Sequence, residues 1–249
     1  MEKYIGCSGY YYDHWKGLFY PDDLPKREWL KFYADHFRTV EINNTFYKMP
    51  DEKTMKHWYS ITPANFVFAI KGFRYFTHLR KFTVDKASLD NLAKFQRTTS
   101  FLKGKLGPLL WQLPPGFTMN LKKLDDFCAV LDPGFRYIFE FRHSSWFVQP
   151  VYEILNKYKH GLCIVSSPGN FPQDVITTTD IAYIRFHGQG SWYNDNYKNE
   201  DLQMWKNKLE RLAVKELYAY FNNDIGGYAI SNGLYMSSLF GTVAQQQST

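Results

Sequence analysis

The segment Tyr137-Ile-Phe-Glu-Phe-Arg142 alternates strictly, with Tyr137, Phe139 and Phe141 on one face of a strand and Ile138, Glu140 and Arg142 on the other. A surface strand would leave its ions in water, and a strand buried on both faces would carry none. A barrel strand satisfies both halves: its aromatics lie under helices and its ions stand at the mouth of the lumen. The same split recurs in three other segments. Glu41 and Asn43 oppose Val40 and Ile42. Val67, Ala69 and Lys71 oppose Phe66, Phe68 and Ile70, and Tyr183, Arg185 and His187 share a face.

Strand patterns are expected at Tyr4–Ser8, Thr39–Asn43, Phe66–Lys71, Leu109–Pro115 (halted by its prolines), Tyr137–Arg142, Leu162–Val165, Tyr183–His187 and Glu216–Asp224. Helical stripes separate them at Lys26–His36, Thr54–Tyr59, Ser88–Leu102, Leu121–Leu131, Val151–Lys159, Asp201–Leu212 and Ala229–Phe240, the Ser88 helix capped by Ser88 or Asp85. The stretch from Ser166 to Asp180 is too short and too rich in proline for a full helix. The expectation is an α/β fold, a single (β/α)8 TIM-type barrel over residues 1–249 with one crossover lacking its helix and a frayed tail from about 242 to 249. An open doubly wound sheet is the competitor, but its central strands would be apolar on both faces.

Composition sets the remaining bounds. Hydrophobic residues make up 45% and aromatics 19%, ample for a core and too apolar for disorder. A formal charge of +6 suits an anionic partner but is too mild to specify nucleic acid. Cys7, Cys128 and Cys163 show no paired spacing and read as buried reduced thiols. With no apolar targeting region and no run long enough to span a bilayer, the expectation is a soluble cytoplasmic protein without a membrane partner; oligomeric state is not legible.

The strand ends gather Glu41, Asn43, Lys71, Gln112, Glu140, Arg142, Arg185, His187 and Asn222, the face on which barrels of this kind build active sites. Three permanent cations facing two carboxylates imply a missing anion, such as phosphate or a ligand carboxylate; an internal ion-pair layer would account for part of the set. Glu140, His187 and Glu41 are the candidates for general acid and base, as in a hydrolase, with Lys71, Arg142, Arg185, Asn43, Gln112 and Asn222 binding substrate. Lys71 could form a Schiff base if its pKa were lowered, which Arg142 or Arg185 would favour and the glutamates oppose. Glu41, Glu140, His187 and Asp224 are the metal alternative, though no HxH or HExxH spacing supports it and no metal is expected. Loop aromatics, among them Tyr10, Tyr11, Tyr12, Trp15, Phe46, Tyr47, Trp146, Trp192 and Tyr193, either pack over the barrel or form a wall for a sugar or base; Tyr10 and Trp146 are counted as substrate-binding. No Gly-x-Gly-x-x-Gly, phosphate loop or Gly-x-Ser-x-Gly elbow is present, and no cofactor is expected.

Several segments resemble the domain-of-unknown-function 72 (YecE-like) family: Ile5–Tyr10, Trp15–Pro21, Thr39–Tyr47, Phe68–Lys71, Thr77-His78, Gln112–Pro115, Glu140–Trp146, Arg185–Gly188 and Tyr220–Asp224. They run in order over nearly the whole chain. The resemblance implies a TIM-type barrel and no defined activity. Members resembling this family often carry an acid near Ser166 or Ser167, which this chain replaces by serine. The functional expectation is an enzyme acting on a small anionic substrate, a phosphorylated sugar or nucleotide-like molecule. The alternatives are a non-catalytic nucleic-acid or nucleotide binder and a metal-dependent hydrolase or isomerase.

Overall fold

The structure, a computed structural model, describes residues 1–169 and 171–242. Eight parallel strands lie in the order β1-β8-β7-β6-β5-β4-β3-β2. They are β1 (Glu2–Cys7), β2 (Thr39–Ile42), β3 (Val67–Lys71), β4 (Leu106–Gln112), β5 (Tyr137–Glu140), β6 (Gly161–Ser166), β7 (Ile181–Phe186) and β8 (Glu216–Phe221). The helices are α1 (Trp29–Ala34), α2 (Asn44–Tyr47), α3 (Glu52–Ile61), α4 (Lys86–Thr99), α5 (Leu121–Ala129), α6 (Gln149–Lys157), α7 (Asn199–Glu210) and α8 (Tyr228–Leu239). This is the expected (β/α)8 barrel. Among the described residues no helix joins β6 to β7, as the short connection requires. The expected frayed tail lies, apart from Thr242, outside the described residues.

Local chemistry sets the helix starts. The side chains of Asp51, Asp85 and Asn120 accept from the backbone N–H of Thr54, Ser88 and Lys123, capping α3, α4 and α5. The expected cap of α4 is thus Asp85, with Ser88 as its donor. Alternation along the strands then sorts two cores. Phe66, Phe68, Ile70, Tyr137, Phe139 and Phe141 pack outward beneath the helices. Val67, Ala69, Leu110, Ile138, Val165, Tyr183, Tyr218 and Tyr220 fill the lumen. Three of those lumen residues are tyrosines, and their hydroxyls need partners there. Tyr220 meets Thr39 Oγ1 at 2.6 Å; because Thr39 gives its own proton to the Val67 carbonyl, Tyr220 is the donor.

The barrel closes between β1 and β2, where among the described residues the isolated bridge Ser8–Glu41 is the one ladder contact. Two residues let the strands meet. A Cβ on Gly6 would stand 2.2 Å from the Thr39 carbonyl oxygen, so only glycine allows the approach. The Tyr33 hydroxyl, reaching in from α1, accepts from Cys7 N–H at 2.8 Å and donates to the Thr39 carbonyl at 3.0 Å. It bridges backbone groups that the two strands do not pair directly. Farther along the seam, Asn43 Nδ2 donates to the Ser8 carbonyl at 3.1 Å. No helix of the described residues is long and apolar enough to cross a membrane.

Tyr33→Phe removes that bridge and leaves a buried donor and acceptor unpaired, which costs about 1–3 kcal/mol for each such group. Urea denaturation is expected to show a loss of about 2–4 kcal/mol. Gly6→Ala is expected to exceed it, and equal stability of either variant with the parent would rule out the seam as described.

Candidate functional site

Ion pairing begins one layer below the barrel mouth. Arg185, 1% exposed on β7, donates through Nη1 to Glu140 Oε2 at 2.6 Å and through Nη2 to Glu41 Oε1 at 2.7 Å. The Tyr183 hydroxyl donates to the other Glu41 oxygen, also at 2.6 Å. One guanidinium therefore fastens β5 to β2 across the lumen, and both carboxylates are fully buried. Arg142 Nε pairs with the remaining Glu140 oxygen, and Arg142 Nη2 lies 2.8 Å from His187 Nε2. Burial alone would raise the Glu140 carboxyl, but Arg142 and Arg185 outweigh it and hold its pKa well below the ordinary value.

His187 is fully buried, and burial together with the Arg142 charge pushes its pKa well below the imidazole range. The ring is neutral. Nε2 faces both the Arg142 guanidinium and, at 3.3 Å, Glu140 Oε1, while Asn222 Nδ2 stands 3.1 Å from Nδ1.

Lys71 departs from the sequence expectation of three permanent cations. Its ammonium is drawn down to about 7, first by burial and then by Arg185, with Arg142 adding and Glu140 and Glu41 opposing. Among the described residues no carboxylate stands within ion-pair distance of it; its nitrogen sits 4.3 Å over the Phe46 ring. Both glutamates are already committed to arginines. His78, on the turn after β3, is itself lowered to about 4 by burial, then by Lys71 and Arg74, and stays neutral.

Above these groups opens a cavity of about 540 Å³. Lys71, Arg142, Arg185, Asn43, Gln112 and Asn222 line it, while Glu41, Glu140 and His187 lie behind its wall. Two candidates lie elsewhere. Trp146 is fully buried outside the barrel, stacked on Phe141 at 4.7 Å with its indole N–H on the Phe117 carbonyl. Tyr10 packs against Tyr11 and Tyr33 under the first loop and does not reach the cavity. The other loop aromatics divide: Trp15 is core, Tyr12, Tyr47 and Tyr193 line the cavity, and Trp192 covers Arg142 with its ring 5.0 Å from the guanidinium carbon.

His14 and Asp224 line the same cavity and were not counted as an acid–base pair from the sequence. His14 Nε2 stands 3.0 Å from Asp224 Oδ2, and the Trp15 indole donates to Oδ1 at 2.8 Å. Burial pushes the Asp224 carboxyl up to about 6, with Trp15 and His14 holding it from rising further. His14 sits in a loop whose sequence carries no periodic signal, so only the aromatic density around Trp15 marked the region. The metal alternative loses its geometry. Arg185 stands between Glu41 and Glu140, Asp224 is paired with His14, and no group of three or more His, Cys, Asp or Glu side chains converges among the described residues. Of the two serines at the sixth strand, Ser166 bonds Tyr197 at 2.8 Å in the outer layer; Ser167 Oγ is buried without a partner among the described residues.

Comparison with known proteins adds a family. Residues 4–249 match the model described as "Protein of unknown function DUF72". The chain is 27% identical to UPF0759 protein YunF of Bacillus subtilis (strain 168), over 95% of this chain and 94% of that protein. It is 30% identical to UPF0759 protein YecE of Escherichia coli (strain K12) over 48% of this chain and 43% of that protein. A crystal structure of a DUF72 family protein from Thermotoga maritima MSB8 superposes with a TM-score of 0.88 at 30% identity, covering 97% of this chain and 100% of the other. A DUF72 family protein from Enterococcus faecalis V583 shares the fold at a TM-score of 0.82 and 20% identity, over 96% and 95% of the two chains.

Arg185→Met leaves Glu41 buried without its cation and removes one of the two that serve Glu140; the expected loss in urea denaturation at pH 7 is about 3–5 kcal/mol. Because the Glu140 pKa is lower folded than unfolded, its stabilisation is complete above the unfolded value near 4.3 and is lost as pH falls below it. Glu140→Gln is expected to be less stable at pH 7 and to lose less stability between pH 4 and 2. A parallel pH profile for variant and parent would refute the ion pairing.

Proposed function

The chain belongs to the DUF72 family, and from that premise we propose that its barrel mouth binds and acts on a small anionic substrate, a phosphorylated sugar or nucleotide-like molecule, by general acid–base chemistry. The observation that carries this is the layering of charge. The guanidinium groups of Arg142 and Arg185 and the titrating amine of Lys71 line the cavity, whereas the Glu41 and Glu140 carboxylates lie wholly behind them. A ligand therefore meets positive charge on the buried floor of an open cavity, where an anion interacts more strongly than in bulk water.

Roles follow from the hydrogen bonds. Arg142 has its Nε on Glu140 and Nη2 on His187, and among the described residues Nη1 has no partner, so this is the donor offered to an anion. Glu140 and His187 then serve to aim Arg142, and Glu41 to hold Arg185, rather than to carry protons as the strand pattern suggests. Proton transfer falls to Asp224 with His14, since Asp224 titrates near neutrality and faces the cavity. Asn43, Gln112 and Asn222 offer amides to the uncharged part of the substrate. Exposed rim residues Tyr47 and Ile225 supply apolar contact beside them.

Calorimetry with sulfate, glucose 6-phosphate and glucose tests the reading. The two anions are expected to bind and glucose not to. An anion stabilises protonated Lys71, so sulfate affinity is expected to rise as pH falls through about 7 and to weaken above it. Arg142→Ala should weaken sulfate at least about tenfold, equivalent to 1.4 kcal/mol. Equal binding of glucose and glucose 6-phosphate, or sulfate affinity indifferent to Arg142, would exclude an anion site here.

A further inference from the structure

A lysine used only to clamp an anion is best kept fully charged, and pairing with carboxylates would keep it so. Lys71 is placed otherwise. Both nearby glutamates are taken up by Arg185 and Arg142, and the amine rests over the Phe46 ring with its end open to the cavity. Its backbone is pinned on both sides: Thr45 Oγ1 donates to the Lys71 carbonyl at 2.7 Å, and Gly72 N–H donates to the Leu110 carbonyl at 2.8 Å. A Cβ at residue 72 would fall 2.1 Å from the Trp111 ring, which fixes where β3 ends. The backbone that carries the amine is therefore held, and the amine faces the cavity without an ion-pair partner among the described residues, with the anion donor Arg142 lining the same cavity.

We propose that Lys71 is a nucleophile that forms an imine with the carbonyl carbon of an anionic aldehyde or ketone, while Arg142 holds the anionic end. This rests on the anion-binding reading above and narrows its substrate class to carbonyl compounds. The Nζ lone pair forms the C–N bond as the carbonyl π electrons move to oxygen, which takes a proton from the Asp224 carboxyl. Nitrogen then gives a proton back to the Asp224 carboxylate, which passes it to the hydroxyl as the C–O bond breaks and water leaves. Amine, carbonyl and the one proton from Asp224 become a protonated imine and water, with no net redox change. The chemistry needs an unprotonated amine at neutral pH, which Lys71 supplies because burial, Arg185 and Arg142 outweigh the opposing Glu140 and Glu41, and His78 beside it is neutral. A family of reactions opens from such an imine, since it draws electrons from the adjacent carbon.

The full chain is incubated with glyoxylate, and separately with pyridoxal phosphate, in cyanoborohydride at pH 6 to 9, and the reduced adducts are mapped by peptide mass spectrometry with and without sulfate. Lys71 is expected to be labelled at least tenfold faster than any other lysine at pH 7, with a half-maximal rate near pH 7 and protection by sulfate. Lys71→Arg, which keeps charge but forms no imine, is expected to lose that adduct, and with it the change of sulfate affinity around pH 7. Labelling of Lys71 no faster than surface lysines overturns the proposal, even where sulfate still binds. Fast labelling that sulfate does not slow supports the nucleophile and overturns the anion-holding half.

Discussion

Arg185 is the member on which the mouth of this barrel depends. A fully buried guanidinium reached by two fully buried carboxylates, one of which also accepts from a tyrosine hydroxyl, is not an economical way to stabilise a core: desolvating the ions offsets much of their attraction. What the arrangement supplies is position. Three strands from opposite sides of the lumen are tied at one level, and Arg142 above it takes its place from the same Glu140 carboxylate.

The chain of consequences is local. With Arg185 holding one Glu140 oxygen, the other is left for Arg142, which also lies against His187. The same commitments deprive Lys71 of a carboxylate and leave it a titrating amine. Glu41 and Glu140, the two groups that invite an acid–base interpretation by residue type alone, are the ones most firmly held in a single ionic arrangement. The groups free to change charge near neutrality, Lys71 and Asp224, face the cavity.

Much of the fold was legible because strand alternation is a local property. Phe66–Lys71 and Tyr137–Arg142 state which face meets helices and which meets the lumen, and the structure places them so. The candidate site was legible only where it sits on strands. Trp146 and Tyr10 stood beside strand ends in sequence, yet each loop turns its ring outward, against Phe141 in one case and Tyr33 in the other. His14 was hidden for the converse reason: it reaches Asp224 across a sequence distance that no periodicity reports.

The sequence by itself determined the barrel, the inward ring of polar strand ends and the missing helix between β6 and β7, because each follows from residue order within a few positions. Tertiary structure decided the pairing. Whether three cations and two carboxylates leave a permanent charge, a titrating amine or a neutral layer depends on which atoms lie within hydrogen-bond reach and how far they are from water. Here Arg185 takes both glutamates, and Lys71, at the end of β3 in the same ring, becomes the group with unsatisfied chemistry.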